Sequence, residues 1–168
     1  ERRRDQLLEE LAERRTRIDR IEADAVESFN THMDAILDVL GYGNLERIWI
    51  DRQERTERDG RETVTRSTFE LHVVRSTETG AAYEDTVEHL SESEREVTGL
   101  IFALAGYLVH DVHEAVPVML LDSLEAIDSE RIATLVDYFA DYADFLVVAL
   151  LPEDAQALDD DYVRITEV

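Results

Sequence analysis

The sequence predicts an α/β fold entered by a long helix, and three patterns carry that expectation. Two short apolar runs, residues 116–121 (VPVMLL) and 145–151 (FLVVALL), flank a stretch beginning near Ser129 in which Ile132, Leu135, Val136 and Phe139 recur at helical spacing. Two strands buried on both faces and joined by one helix describe a βαβ unit with parallel strands. From Glu1 to about Asp24 the pattern is different, with Leu7, Leu11, Ile18, Ile21 and then Ala25 on the a and d positions of one heptad register. That spacing reads as coiled coil. Arg4 and Arg14 interrupt the seam, so an amphipathic surface helix stays open as the second reading.

The helical pattern continues through Phe29, Met33, Ile36, Leu37 and Leu40 and stops at Gly41 and Gly43, which suit a helix C-terminal cap. Residues 1–28 are therefore expected to be the end of a coiled-coil helix and residues 29–168 a lobe. Residues 45–50 (LERIWI) and 62–74 (ETVTRSTFELHVV) are rich in β-branched and aromatic side chains with Asp59-Gly60 between them, a β-hairpin signal. Residues 76–89 are polar, with a turn at Gly80. Val97, Leu100, Ile101, Leu104 and Leu108 then predict a buried-face helix over 92–109. Strand 116–121, helix 129–142 and strand 145–150 complete the order.

Composition sets limits on function. The 168 residues suffice for one core plus a protruding helix. Aspartate and glutamate number 40 against 17 basic residues, all of them Arg, and apolar residues make up 44% of the chain, a globular fraction. Carboxylates spread over every segment, with Lys absent, fit a protein hydrated in concentrated salt, where repulsion is screened within a few ångströms. A halophile's cytoplasm is the expected setting. The same surface repels DNA phosphates and anionic membranes at low salt, so DNA contact is expected to be indirect. The absence of Cys excludes disulfides and zinc-thiolate sites, and no apolar run reaches membrane-spanning length, so no membrane partner is expected. The chain starts at Glu1 within a charged helical pattern and looks excised from something longer.

In parallel α/β sheets ligands gather at the carboxyl ends of strands, where Asp122 follows the first apolar run. A carboxylate there can hold the water shell of Mg²⁺; it can equally cap a helix or close a turn. Leu90-Ser91-Glu92-Ser93-Glu94-Arg95 opens a helix upstream of it. This string resembles the signature motif of ABC and SMC ATPases, LSGGE followed by a basic residue, although a plain helix N-cap explains it as well.

The succession of coiled helix, two strands, signature-like helix, strand ending in Asp, acidic link, helix and strand is similar to the C-terminal lobe of SMC-type heads over nearly the whole chain. VPVMLLDSLEAIDSERIATLVDYFADYADFLVVALLPED and the Lys-free composition resemble most the archaeal SMC-related proteins of halophiles. The resemblance implies the C-terminal half of a P-loop ATPase head of the ABC/SMC type with a coiled-coil helix at its N-terminal side. It implies ATP and Mg²⁺ as cofactors, with Leu90, Ser91, Glu92, Ser93 and Asp128 at a nucleotide held by the opposite subunit, and Asp122 on the metal. Implied partners are an N-terminal Walker A lobe of the same protein and a second copy through a head homodimer. The implied setting is the nucleoid, in chromosome organisation or DNA tethering and repair.

Several positions depart from that family pattern. Glu92 and Ser93 replace two glycines of the motif. Ser123 occupies the position of the catalytic Glu, and a hydroxyl cannot act as its carboxylate base. The link from Asp122 to Ile127-Asp128 is one residue short. Val148-Ala149-Leu150-Leu151 offers no switch His, and the phosphate loop GxxxxGK[ST] is absent. These losses support an alternative, a catalytically degenerate coiled-coil scaffold without ATPase activity. His110, His113 and Glu114 read as surface loop residues, His32, His72 and His89 as ordinary polar positions, and Trp49 as a core or interface aromatic.

Overall fold

The computed structural model describes residues 2–60, 62–77 and 79–166. Helix α1 spans Arg2–Leu40, and only its last turns, through Met33, Ile36, Leu37 and Leu40, enter the core. Gly41 follows with φ +56° and donates its N–H to the Leu37 carbonyl at 3.0 Å. A left-handed residue ending the helix is the role for which glycine carries no steric cost.

Strands β1 (Leu45–Asp59) and β2 (Glu62–Ser76) form a long antiparallel hairpin closed by the pair Asp59 and Glu62, with Gly60 at φ +63°. The hairpin forms where the sequence places it, but β1 runs nine residues past Ile50, the end expected from its apolar run. The extension is held by backbone pairing to β2 and by ion pairs. Arg52 reaches Asp19 at 2.7 Å and Glu22 at 2.8 Å on α1, and Ser67 of β2 donates to the same Glu22 carboxylate at 2.6 Å. A third strand, β3 (Ala82–Asp85), pairs with β2 inside the segment that reads as purely polar, giving the order β1-β2-β3.

Helix α2 (Glu92–Val109) has the expected bounds and buries Val97, Ile101, Leu104 and Leu108. After a single turn, α3 (Val112–Ala115), strand β4 (Val118–Leu121) leads through a loop to helix α4 (Ser129–Ala140) and strand β5 (Phe145–Val148). Strands β4 and β5 pair in parallel, Val118 beside Phe145 through Leu121 beside Val148. The βαβ unit is therefore present, with its elements trimmed by one or two residues at their ends.

Burial on both faces is not found. Met119 and Leu121 point into the core, whereas Leu120 is 69% and Phe145 64% exposed, with Val118 and Val147 beside them. In this chain nothing among the described residues lies over that outer face, so the continuous apolar runs are explained only on their inner side. The inner side joins the end of α1, Ile48, Val73, the apolar faces of α2 and α4, Leu124 and Ile127 in one core.

Candidate functional site

The first site position is the start of α2. Ser91 adopts extended backbone at φ −60°, ψ 164°, and forms a complete capping box with Glu94. Its hydroxyl donates to Glu94 Oε2 at 2.7 Å and its backbone N–H to the same oxygen at 2.9 Å. Leu90 is buried, while Ser91, Glu92 and Ser93 face solvent. Glu94 is only 4% exposed, and its charge is met by the Arg75 guanidinium of β2 at 2.9 Å. Burial works against the Glu94 carboxylate, but the bonds from Ser91 and Arg75 outweigh it and hold the group below its ordinary pKa. Arg75 also reaches Asp85 at 3.1 Å, and Asp85, with His89 as its foremost partner at 2.8 Å and the Thr86 N–H behind it, is lowered as well. Sequence reading missed this relay, because Arg75 lies 19 residues from Glu94 on another element. The Ser-x-x-Glu spacing did announce the cap itself.

The second position is the end of β4. Asp122 is exposed and accepts the Ser123 N–H at 2.8 Å, and Ser123 sits at φ +61°. That left-handed conformation is uncommon for a non-glycine residue and marks a sharp turn imposed by the surrounding structure. Leu124 and Ile127 are buried and bonded to each other through Ile127 N–H to Leu124 O at 3.0 Å, so the loop is pinned. Ser123 borders a narrow crevice shared with Glu96, Val97 and Leu100 of α2.

The third position is the start of α4, where Asp128 is the N-cap. It accepts the Arg131 N–H at 3.1 Å and pairs with the Arg131 guanidinium. The backbone bond, followed by the guanidinium, lowers its pKa against partial burial. Among the described residues no hydrogen bond joins Ser91 to Asp122 or Asp128, so the three positions stand on separate segments. Residues 148–151 present no imidazole, and Ala149 donates its N–H to Leu121 O at 2.9 Å.

The histidines and Trp49 fall differently from expectation in part. His113 is half-buried rather than a surface loop residue, its ring 5.9 Å from that of Tyr107 and 5.8 Å from that of Tyr142. Its ligand atom lies within 4.8 Å of those of Asp111 and Glu114. Trp49 stacks on His72 at 4.9 Å on the outer face of the three-stranded sheet, with Arg47 over its ring.

No family model matches the chain. It is 64% identical over 152 residues to Smc-like protein Sph3 of Haloferax volcanii, covering 90% of this chain and 23% of that protein. It is 59% identical over 160 residues to Smc-like protein Sph2 of Halobacterium salinarum, covering 93% of this chain and 24% of that protein. The chain thus spans about a quarter of the length of the curated relatives it matches. Among solved structures it resembles, at TM-score 0.55 and 15% identity, a chain from work on ATP-driven dimerisation and DNA-stimulated activation of SMC ATPases, covering 89% of this chain and 83% of that one. It also resembles an Smc head bound to the C-winged helix domain of ScpA, at TM-score 0.52 and 18% identity over 80% of this chain and 37% of that one. At those identities the structural likeness concerns the fold.

Proposed function

We propose, from the premise that this chain is an SMC-related haloarchaeal protein with the α/β fold of the SMC ATPase head, that it serves as the C-terminal lobe of a nucleotide-gated head. The observation that carries the reading is the bare outer face of β4 and β5. An apolar surface of Val118, Leu120, Phe145 and Val147 is what a second lobe would cover, and a lobe bearing the phosphate loop is the one this chain lacks. In this reading Asp122, at the carboxyl end of the half-covered sheet, holds the water shell of Mg²⁺ beside the phosphates.

The start of α2 supports pairing of two heads. An 18-residue helix starts at the exposed residues Ser91, Glu92 and Ser93, with the Ser91 and Glu94 amides held in the capping box, and a helix N-terminus favours an anion. Nucleotide held by the opposite head supplies that anion, and Ser91 contacts it by turning its hydroxyl from Glu94 toward phosphate. The exposed carboxylate of Glu92 opposes the approach, so the residues fit a supporting contact and not a primary cradle. Asp128 and its loop lie at the same junction of heads. ATP would then act as interface adhesive, and the role in the cell is chromosome organisation or DNA tethering and repair.

The test uses the full-length protein in molar KCl, with mass read by light scattering. ATP is expected to drive dimerisation, and Ser91→Arg to block it by placing bulk at the phosphate contact. Unchanged dimerisation in that variant would remove the reading. A second reading, a scaffold without turnover, is favoured by Ser123 at the position of the general base and by the absence of an imidazole at 148–151. Loss of one general base costs about a hundredfold or more in rate, so phosphate release that Ser123→Glu accelerates would separate a slow ATPase from a scaffold.

A further inference from the structure

Helix α4 begins where α1 ends, and one side chain joins them. Arg131 donates Nε to the Leu40 carbonyl at 2.7 Å and Nη2 to the Gly41 carbonyl at 3.1 Å. Carbonyls at a helix C-terminus have no partner within the helix, and a cation there complements the helix dipole. Among the described residues no other group bonds these two oxygens. The third arm of the same guanidinium pairs with Asp128, while its Cζ lies over the Tyr42 ring, 5.2 Å from the centroid. Tyr42 in turn donates its hydroxyl to the Ala126 carbonyl at 3.3 Å.

One bond therefore reaches the loop between β4 and α4 directly from the root of α1, Tyr42 to Ala126, and a second path runs from the Leu40 and Gly41 carbonyls through Arg131 of α4 to Asp128 at the loop's end. The loop has little freedom to yield, since Leu124 and Ile127 are buried in the core that also holds Leu37 and Leu40. The planar fork of an arginine makes this three-way junction possible, and a lysine offers one point charge in its place.

We infer that Arg131 and Tyr42 are positioning residues that lock loop 124–128 to the root of α1, so that head pairing through Asp128 and the attitude of the long helix change together. The inference rests on the head-pairing reading above. Pressure on the loop passes through Tyr42 and the Arg131 fork to the Leu40 and Gly41 carbonyls, and hence along the helix axis.

The experiment uses the full-length protein in molar KCl, carrying spin labels at Glu10→Cys on α1 and Asp141→Cys after α4, with dimerisation followed in parallel. In the otherwise unchanged protein, ATP is expected to alter the label distance. Arg131→Met should abolish that change and weaken ATP-dependent dimerisation about tenfold, a size common for coupled neighbours. In an Asp128→Asn background, which keeps the N-cap acceptor, Arg131→Met should add little, because its action runs through Asp128. Should Arg131→Met compromise folding, Tyr42→Phe removes one hydroxyl, keeps the ring, and should reduce the distance change alone. The inference is overturned if both variants pair heads and move the labels as the parent does while Ser91→Arg blocks pairing, or if ATP never moves the labels. If Ser91→Arg leaves pairing intact, the head-pairing reading fails and takes this inference with it.

Discussion

At the start of α2 the capping serine and the glutamate behind it share their hydrogen bonds, and Arg75 reaches in from β2 to balance the charge. Removing that arginine leaves Glu94 buried without a cation. We predict that Arg75→Ala destabilises the chain by about 2 kcal/mol, less than for a fully enclosed pair because Arg75 is a quarter exposed. Denaturant unfolding in molar KCl measures it, and a midpoint equal to the parent's would contradict the assignment. Acid should act on the same groups. Glu22, through Ser67 and Arg52, joins Asp85, Glu94 and Asp128 below the ordinary values of 3.8 for Asp and 4.5 for Glu. The unfolded chain then binds more protons than the folded one, so their contribution is complete above the Glu value and falls away as pH drops through the depressed folded values. Unfolding followed from pH 6 to pH 3 in molar KCl, where general repulsion is screened, should show stability level at first and then declining; a rise on acidification would refute the sign. Single residues were legible where the signal is local. The Ser91 cap follows from Ser-x-x-Glu, and Asp122 from its place after an apolar run. Arg75 and Tyr42 were not legible, because their partners are assembled only by folding.

Among the elements, α2, the hairpin and the parallel pair of strands could be read from periodicity, and β1 was read short. Charged residues after Ile50 carry no alternation, yet backbone pairing to β2 and the ion pairs to α1 keep them extended. β1 is also an edge strand, and its exposed backbone is met from α1 by one amide. Asn30 accepts the Ile50 N–H at 2.7 Å and donates to the Ile50 carbonyl at 3.0 Å, standing in for a neighbouring strand. Asn30→Leu should orphan both groups at a cost of about 1–3 kcal/mol. Hydrogen exchange at the Ile50 amide should quicken in step; unchanged protection there would show that the amide is not what covers the edge.

At the scale of the whole molecule the charge is uneven. Only Arg95, Arg131 and Arg164 lie beyond residue 75, against 22 acidic residues in the same stretch. The α/β part should therefore repel itself when unscreened, and the thermal midpoint is expected to rise markedly from dilute buffer to molar KCl. A midpoint indifferent to salt would count against screening as the reason for this composition. The bare sheet face carries the other expectation. High salt strengthens apolar association, so the isolated chain should self-associate through Leu120 and Phe145. Leu120→Glu should restore a monomer by light scattering without lowering the thermal midpoint, whereas continued association would place the sticky surface elsewhere. That one face is uncovered could not be read from the sequence, because an apolar run records that both sides are buried in the end but not by which chain.

The long helix is held along its root, in the core at Met33–Leu40 and just before it where Asn30 bonds Ile50, and again farther out where Arg52 grips Asp19 and Glu22. It is thus mounted like a shaft in two bearings. At 1.5 Å per residue the bearings stand about 22 Å apart, so 1 Å of slack at the outer one tilts the shaft by about 3° and displaces Arg2 by about 2 Å. With the root alone as a bearing about 15 Å long, the same slack gives about 4° and carries Arg2 about 3 Å. The Arg52 contact therefore cuts the aiming error of the arm by about a third, and any longer arm continuing from residue 2 would multiply the difference.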